Sequence, residues 1–189
     1  LRRCLRENYR DGVLMPWKNA RRIVSTNFSY QALSLPEGVG AKSIRASLKV
    51  SRGKLGLTHA GTYRNLIWPW VEAKAALAFA FDDPKFSYER LKHVLDCTST
   101  LGVFPEKIRP DGFPVLFGYL TAHTTFVCAV NSLLASDNGQ VLKVAVGIPL
   151  DWKDLSFTNI GTYSGYSVSL TLRGGKVKRL LVDNRREES

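Results

Sequence analysis

The sequence predicts a mainly α protein, part of a double-layered helical barrel followed by a small antiparallel β extension. Three observations carry this. Residues 68–81 and 120–135 are apolar nearly all the way round a helical projection, and a helix of that kind must be covered on most sides. Residues 86–97 between them are amphipathic, with Leu91, Val94 and Leu95 on one face and Glu89, Arg90, Lys92 and Asp96 on the other. From Gln140 onward the hydrophobic period shortens to that of a strand. Buried helices alternating with amphipathic ones fit the inner and outer layers of a barrel, whereas a plain bundle makes every helix amphipathic. The division that follows is a partial helical domain over residues 1–139 and a β-rich domain over 140–189.

Each element has its own warrant. Residues 1–10 read as the end of a helix, with Leu1, Leu5 and Tyr9 on one face and Asp11-Gly12 as the stop. Residues 12–61 mix β-branched and aromatic side chains and read as loop with short strands; the alternation over 44–50 suits a strand or a short helix. Pro69 suits the first turn of the next helix, and Asp82-Asp83-Pro84 ends it. Asp137-Asn138-Gly139 closes the last helix. Strands are expected at 141–146, 166–172 and 177–182, with Arg173-Gly174-Gly175-Lys176 as the hairpin turn between the last two. Residues 184–189 form a charged tail.

Composition excludes more than it assigns. A chain of 189 residues with 44% hydrophobic content buries a real core. No apolar run spans a bilayer, because Glu72 and Lys74 interrupt one candidate and His123 and Asn131 the other, so no membrane association is expected. The net charge of +11 permits a polyanionic partner. Its cations fall in separate groups (Arg2, Arg3 and Arg6; Arg21 and Arg22; Lys176, Lys178 and Arg179; Arg185 and Arg186), none inside a nucleic-acid motif, so no nucleic-acid partner is expected. Cys4, Cys97 and Cys128 lie far apart and match neither a zinc site nor a disulfide framework. Cys97 and Cys128 fall on apolar helical faces and are expected as buried free thiols, which points to a reducing, cytoplasmic setting. No cofactor motif and no metal-ligand cluster is present in the sequence. The chain starts at Leu1 and its only Met is Met15, which suggests a missing N-terminal portion; helices that need covering then predict exposed apolar surface or self-association.

Two loops concentrate chemistry. Residues 61–70 bring Tyr63, Arg64, Asn65, Trp68 and Trp70 together, with His59 just before them. Residues 101–112 hold one carboxylate, Glu106, between Pro105 and Pro110. Aromatic faces stack on the C–H faces of sugar rings, while Arg, Asn and carboxylate groups hydrogen-bond to sugar hydroxyls, so this set of residues points to a carbohydrate site. As bare residues, Glu106 reads as a solvated loop carboxylate, Trp70 as core, His123 as a hydrogen-bonded helix residue and His93 as surface. Asp111 is expected to make a turn with Gly112.

Three segments resemble the six-hairpin (α/α)6-barrel glycoside hydrolases, the group of glucoamylase, glycogen-debranching amylo-α-1,6-glucosidase and the α-fucosidase relatives. Gly61-Thr62-Tyr63-Arg64-Asn65 running into Ile67-Trp68-Pro69-Trp70 is similar to the loop that opens an inner helix in that family. Phe104-Pro105-Glu106-Lys107, followed by Pro110-Asp111-Gly112, is similar to its base-bearing segment. Leu120-Thr121-Ala122-His123 resembles the start of the last inner helix, with Ala122 and His123 in place of the family's Trp-Ser. The tail from Trp152 onward resembles the β domain after the barrel. The resemblance implies the C-terminal part of an (α/α)6 toroid and inverting hydrolysis of α-glycosidic bonds in an oligo- or polysaccharide. It also implies Glu106 as general base, with Tyr63, Arg64, Asn65, Trp68 and His59 binding sugar. Only about half a barrel is present and no segment matches the family's general acid. A non-catalytic carbohydrate-binding or assembly subunit and a basic polyanion-binding helical protein stand as alternatives.

Overall fold

The computed structural model describes residues 66–109 and 111–184, together with Glu7, Tyr9–Arg10, Val13–Leu14, Arg52–Gly53 and Gly56–Leu57. The first two dipeptides are β1 and β2, which pair antiparallel, so Tyr9 and Arg10 lie in a strand and not in the helix expected there. The second two are β3 and β4, an antiparallel pair that agrees with the short strands read in this region.

Three helices follow, and each expected one forms. Helix α1 spans Pro69–Phe79, α2 spans Pro84–Asp96 and α3 spans Leu120–Leu134. Pro69 and Pro84 sit in the first turns, where a missing N–H costs nothing. The Asp83 carboxylate caps α2 by accepting from the Phe86 amide at 3.1 Å. Alanines let α1 approach both neighbours: Ala73, Ala75 and Ala76 are wholly buried, with Phe79 and Val94 beside them. The Ser87 hydroxyl donates to the Ala76 carbonyl at 2.7 Å and ties α2 to α1.

The mainly α (α/α)6 toroid is not what these residues form. Helix takes 34% of the described part and strand 29%, in antiparallel sheets, so the class is α plus β. Two misread patterns account for the difference. The all-round apolarity of α1 is satisfied by the middle position in a three-helix cluster, between α2 and α3, without an outer layer. The all-round apolarity of α3 does not report all-round burial. Ala122, Ala129 and Leu133 face inward, while Leu120 and Val127 are 72% and 54% exposed. Cys128 on the same helix is also exposed, against the buried thiol expected.

The remaining chain is strand. Hairpin β5–β6 (Lys107–Ile108 with Pro114–Val115) lies between α2 and α3. Helix α3 then runs directly into β7 (Ala135–Asp137), which pairs with β8 (Leu142–Val144). A three-stranded sheet follows in the order β11–β10–β9, from Lys176–Asn184, Tyr166–Arg173 and Leu155–Gly161. Gly174 and Gly175 turn its hairpin with φ of 58° and 73°, a left-handed pair that glycine adopts without strain. Ile160 and Val168 pack against Ala135 to make a second core at the foot of α3. Lys143 joins the two parts, donating to the Phe81 carbonyl at 2.8 Å just beyond α1.

Two positions on this junction give measurable expectations. A Cβ on Gly147 would lie 2.2 Å from Leu133 Cδ1 and 2.6 Å from Pro84 Cβ, so α2, α3 and this loop meet with no room for a methyl. Gly147→Ala should cost about 1–3 kcal/mol by overpacking, read as a lower midpoint in urea. The Asp137 carboxylate accepts from the Gly139 and Ser164 amides at 2.9 and 3.0 Å, and from the Ser164 hydroxyl. Burial pushes its pKa up, but these hydrogen bonds, those of Ser164 foremost, outweigh burial and hold it below the usual carboxylate range. A depressed folded pKa gives stability that is complete above the unfolded value, near 3.9, and is lost as pH falls through the folded one. Asp137→Ala should therefore lower the thermal midpoint at pH 7, and the gap from the native chain should narrow as the pH of the melts falls below about 3.9, the unfolded value.

Candidate functional site

Of the expected sugar-binding residues, Trp68 is described, whereas His59, Tyr63, Arg64 and Asn65 lie outside the described residues. Glu106 is described as well, and backbone pairing brings its hairpin to Trp68. Ile67 and Ile108 form an antiparallel bridge in which each amide donates to the other's carbonyl, at 2.9 and 2.8 Å. Both residues are buried, at 3% and 8% exposure, so the bridge is shielded from water. Trp68 and Lys107 are therefore the chain neighbours of a paired dipeptide. The Lys107 ammonium stands 5.2 Å from the centre of the Trp68 ring and 3.1 Å from Glu106 Oε1.

The hairpin is held from below. The Glu106 amide donates to the Leu116 carbonyl at 2.7 Å, and Arg109 donates to Phe113 at 2.9 Å. Pro105 is fully buried, and the Phe104 carbonyl accepts from the Tyr119 amide at 3.0 Å. The Phe104 amide donates to His123 Nε2 at 3.1 Å, so the ring proton sits on Nδ1 and is donated to the Tyr119 carbonyl at 3.0 Å. The Phe104 ring packs on His123 and Phe126, with centroids 4.8 and 5.3 Å apart. His123 is thus the clasp between this loop and α3, the hydrogen-bonded role read for it in the sequence. The Glu106 side chain stays 22% exposed above this buried footing.

An aromatic row continues from Trp68. Its ring stacks on Trp70 at 5.5 Å and 29°, and Trp70 meets Tyr119 edge-on at 6.4 Å. Trp70 is only 9% exposed and belongs to the core, as expected of it, and Lys74 lies 4.0 Å over its ring. Burial lowers the Lys74 pKa. Phe113, Leu116 and Phe117, at 58–63% exposure, give the hairpin an apolar rim. This rim is a feature that residue type alone did not reveal, and Leu116 within it adopts a φ of 56°.

The other acids are engaged elsewhere. Glu72 is 1% exposed and paired with Arg90 across α1 and α2 at 3.5 Å, which removes it from any inner catalytic position. Asp111 accepts from the Phe113 amide at 3.0 Å, the turn expected of it, and takes up the Arg109 guanidinium. Cys97 is half-buried, and burial, with the charges of Glu72 and Asp96, pushes its thiol up to about 12, which leaves it inert as a nucleophile. No group of metal-ligating side chains occurs among the described residues. No helix among them is long and apolar enough to cross a membrane. No protein-family model matches the sequence, and no curated protein is similar to it.

Proposed function

We propose that the chain binds an oligo- or polysaccharide beside Trp68 and Glu106, and that Glu106 is the general base in inverting hydrolysis of an α-glycosidic bond. The observation that carries this reading is the Ile67–Ile108 bridge, which brings the Trp68 indole to the hairpin that bears the partly exposed Glu106 carboxylate. Glu106 would take a proton from the attacking water, and Trp68 would hold a sugar by its C–H face. Tyr63, Arg64, Asn65 and His59 would meet hydroxyls. The likeness of residues 61–70 and 104–112 to glycosidase segments supports the same chemistry.

Inversion needs a second, protonated carboxyl about 6.5–9.5 Å from the first. Glu72 and Asp111 are both committed to arginines. That observation favours a second reading, a carbohydrate-binding subunit that keeps the platform and holds no acid. One titration separates the two. Tryptophan fluorescence is followed as α-linked gluco- and fuco-oligosaccharides are added, and release of reducing sugar is measured in parallel. Binding with turnover supports the hydrolase, and binding alone supports the subunit. Trp68→Ala should weaken binding about tenfold, the loss of one stacking contact worth about 1.4 kcal/mol. Absence of saturable binding by the native chain would overturn both.

A further inference from the structure

The terminal sheet brings Arg173 and Lys153 to the group Lys176, Lys178 and Arg179. Arg173 and Lys176 are register partners across the β10–β11 turn, and Arg179 is the partner of Thr171, the next pair on the same face. Cross-strand Cα partners lie about 5 Å apart and same-face neighbours along a strand about 7 Å. Lys178 occupies the register shift between those pairs. The Gly175 amide donates to the Lys153 carbonyl at 2.8 Å, which sets Lys153 against the turn. All five are exposed, and no ion pair to any of them occurs among the described residues. The acids described in this region are Asp154, whose carboxylate accepts from the Gly174 amide at 3.1 Å, Asp151 and, farther along β11, Asp183, so the five cations stay in excess.

Like charges placed directly opposite each other on a sheet destabilise it. Lysine and arginine on an edge strand protect that edge from pairing with another chain, which accounts for Lys178 and Arg179 on β11. It does not account for Arg173, because β10 is the central strand. By register the face also carries hydroxyls, Ser156 and Thr171 in mutual contact at 3.3 Å and Ser169, which accepts from the Asn159 amide, while farther from the turn Leu181 lies opposite Ser169 and Asp183 opposite the buried Ser167. None of the pairs on the face contributes an aromatic ring on which a base could stack.

From the opposed cations, the absence of ion pairs to them among the described residues and the hydroxyls next to the turn, we infer that this face of the β9–β11 sheet binds an acidic polysaccharide through Arg173, Lys176, Arg179 and Lys153. The site is separate from Glu106 and rests on the sheet alone. Each cation meets a sulfate or carboxylate along the chain, and the serine and threonine hydroxyls meet sugar hydroxyls. Binding is therefore strongest at low salt and weakens steeply as salt rises.

The test uses the full chain with heparin as the sulfated probe, and neutral dextran and single-stranded DNA as comparators, over a salt series. Heparin should bind more tightly than DNA, and dextran should not compete. The double variant Arg173→Gln with Lys176→Gln should weaken heparin binding about tenfold or more at low salt and flatten the salt dependence. A control pair on α2, Lys85→Gln with Lys92→Gln, removes the same net charge and should change affinity little. Equal losses in the two pairs would show that overall charge alone is at work and overturn the assignment, as would tighter binding to DNA. Lysine acetylation of the native chain gives a readout without substitution: heparin should protect Lys153 and Lys176 and leave Lys85 and Lys92 unprotected. Uniform protection would overturn the assignment.

Discussion

With Glu106 as the proposed general base, Glu106→Gln should lower the rate of α-glycoside hydrolysis by about two orders of magnitude or more, the usual contribution of a positioned proton acceptor. The amide keeps the shape of the side chain and its capacity to hydrogen-bond, but it does not take a proton from water. Saccharide affinity should stay within about twofold, because stacking on Trp68 does not involve the charge. Stability should also hold: the side chain stands above its footing at 22% exposure, and the bonds that fix the loop come from its backbone. Steady-state kinetics, ligand affinity and a urea midpoint together isolate the chemical role. A variant with near-native turnover would make Glu106 a solvated loop carboxylate held near Lys107.

The substitution is informative because a backbone device, and not a residue type, builds the candidate site. A lone Glu between prolines is legible in the sequence, and so is an aromatic loop upstream. Their adjacency is not, since it depends on one antiparallel bridge between Ile67 and Ile108, and two isoleucines far apart in the chain carry no pairing signal. Helices α1 and α3 were legible as long apolar runs and α2 from its amphipathic period, with prolines or Asx-Gly clusters punctuating them. Strands β10 and β11 were legible from alternation and a Gly-Gly turn. Strand β9 was not, because its inward residues Leu155, Phe157 and Ile160 change spacing where Asn159 takes a φ of 55° and the register slips. The barrel was overread for a related reason. Apolar composition reports what a helix is able to bury, and the exposure of Leu120 and Val127 shows how far that differs from what it does bury in this chain.

The largest effect on stability should come from a pair that residue spacing does not reveal, Glu72 on α1 and Arg90 on α2. Their side chains are 1% and 8% exposed, and the closest approach of the charged groups is 3.5 Å, longer than a charge-assisted hydrogen bond at its best. The Arg90 guanidinium also lies 5.0 Å from the Phe86 ring centre. Removing one member leaves the other as a buried charge without its counterion, which costs about 3–5 kcal/mol in such pairs. Arg90→Ala should show a fall of that size in urea unfolding, with the slope unchanged. The double replacement Glu72→Leu with Arg90→Met removes both desolvation penalties and should recover most of the loss, since apolar side chains of similar volume serve a buried site as well as an ion pair does. Cys97 supplies an independent readout, because the Glu72 charge is one of the causes that push its thiol up to about 12. In the double variant the thiol should titrate at lower pH, seen as faster alkylation at a fixed alkaline pH. An Arg90→Ala cost below about 1 kcal/mol would place the pair in the range of solvated surface bridges, at odds with its burial between α1 and α2.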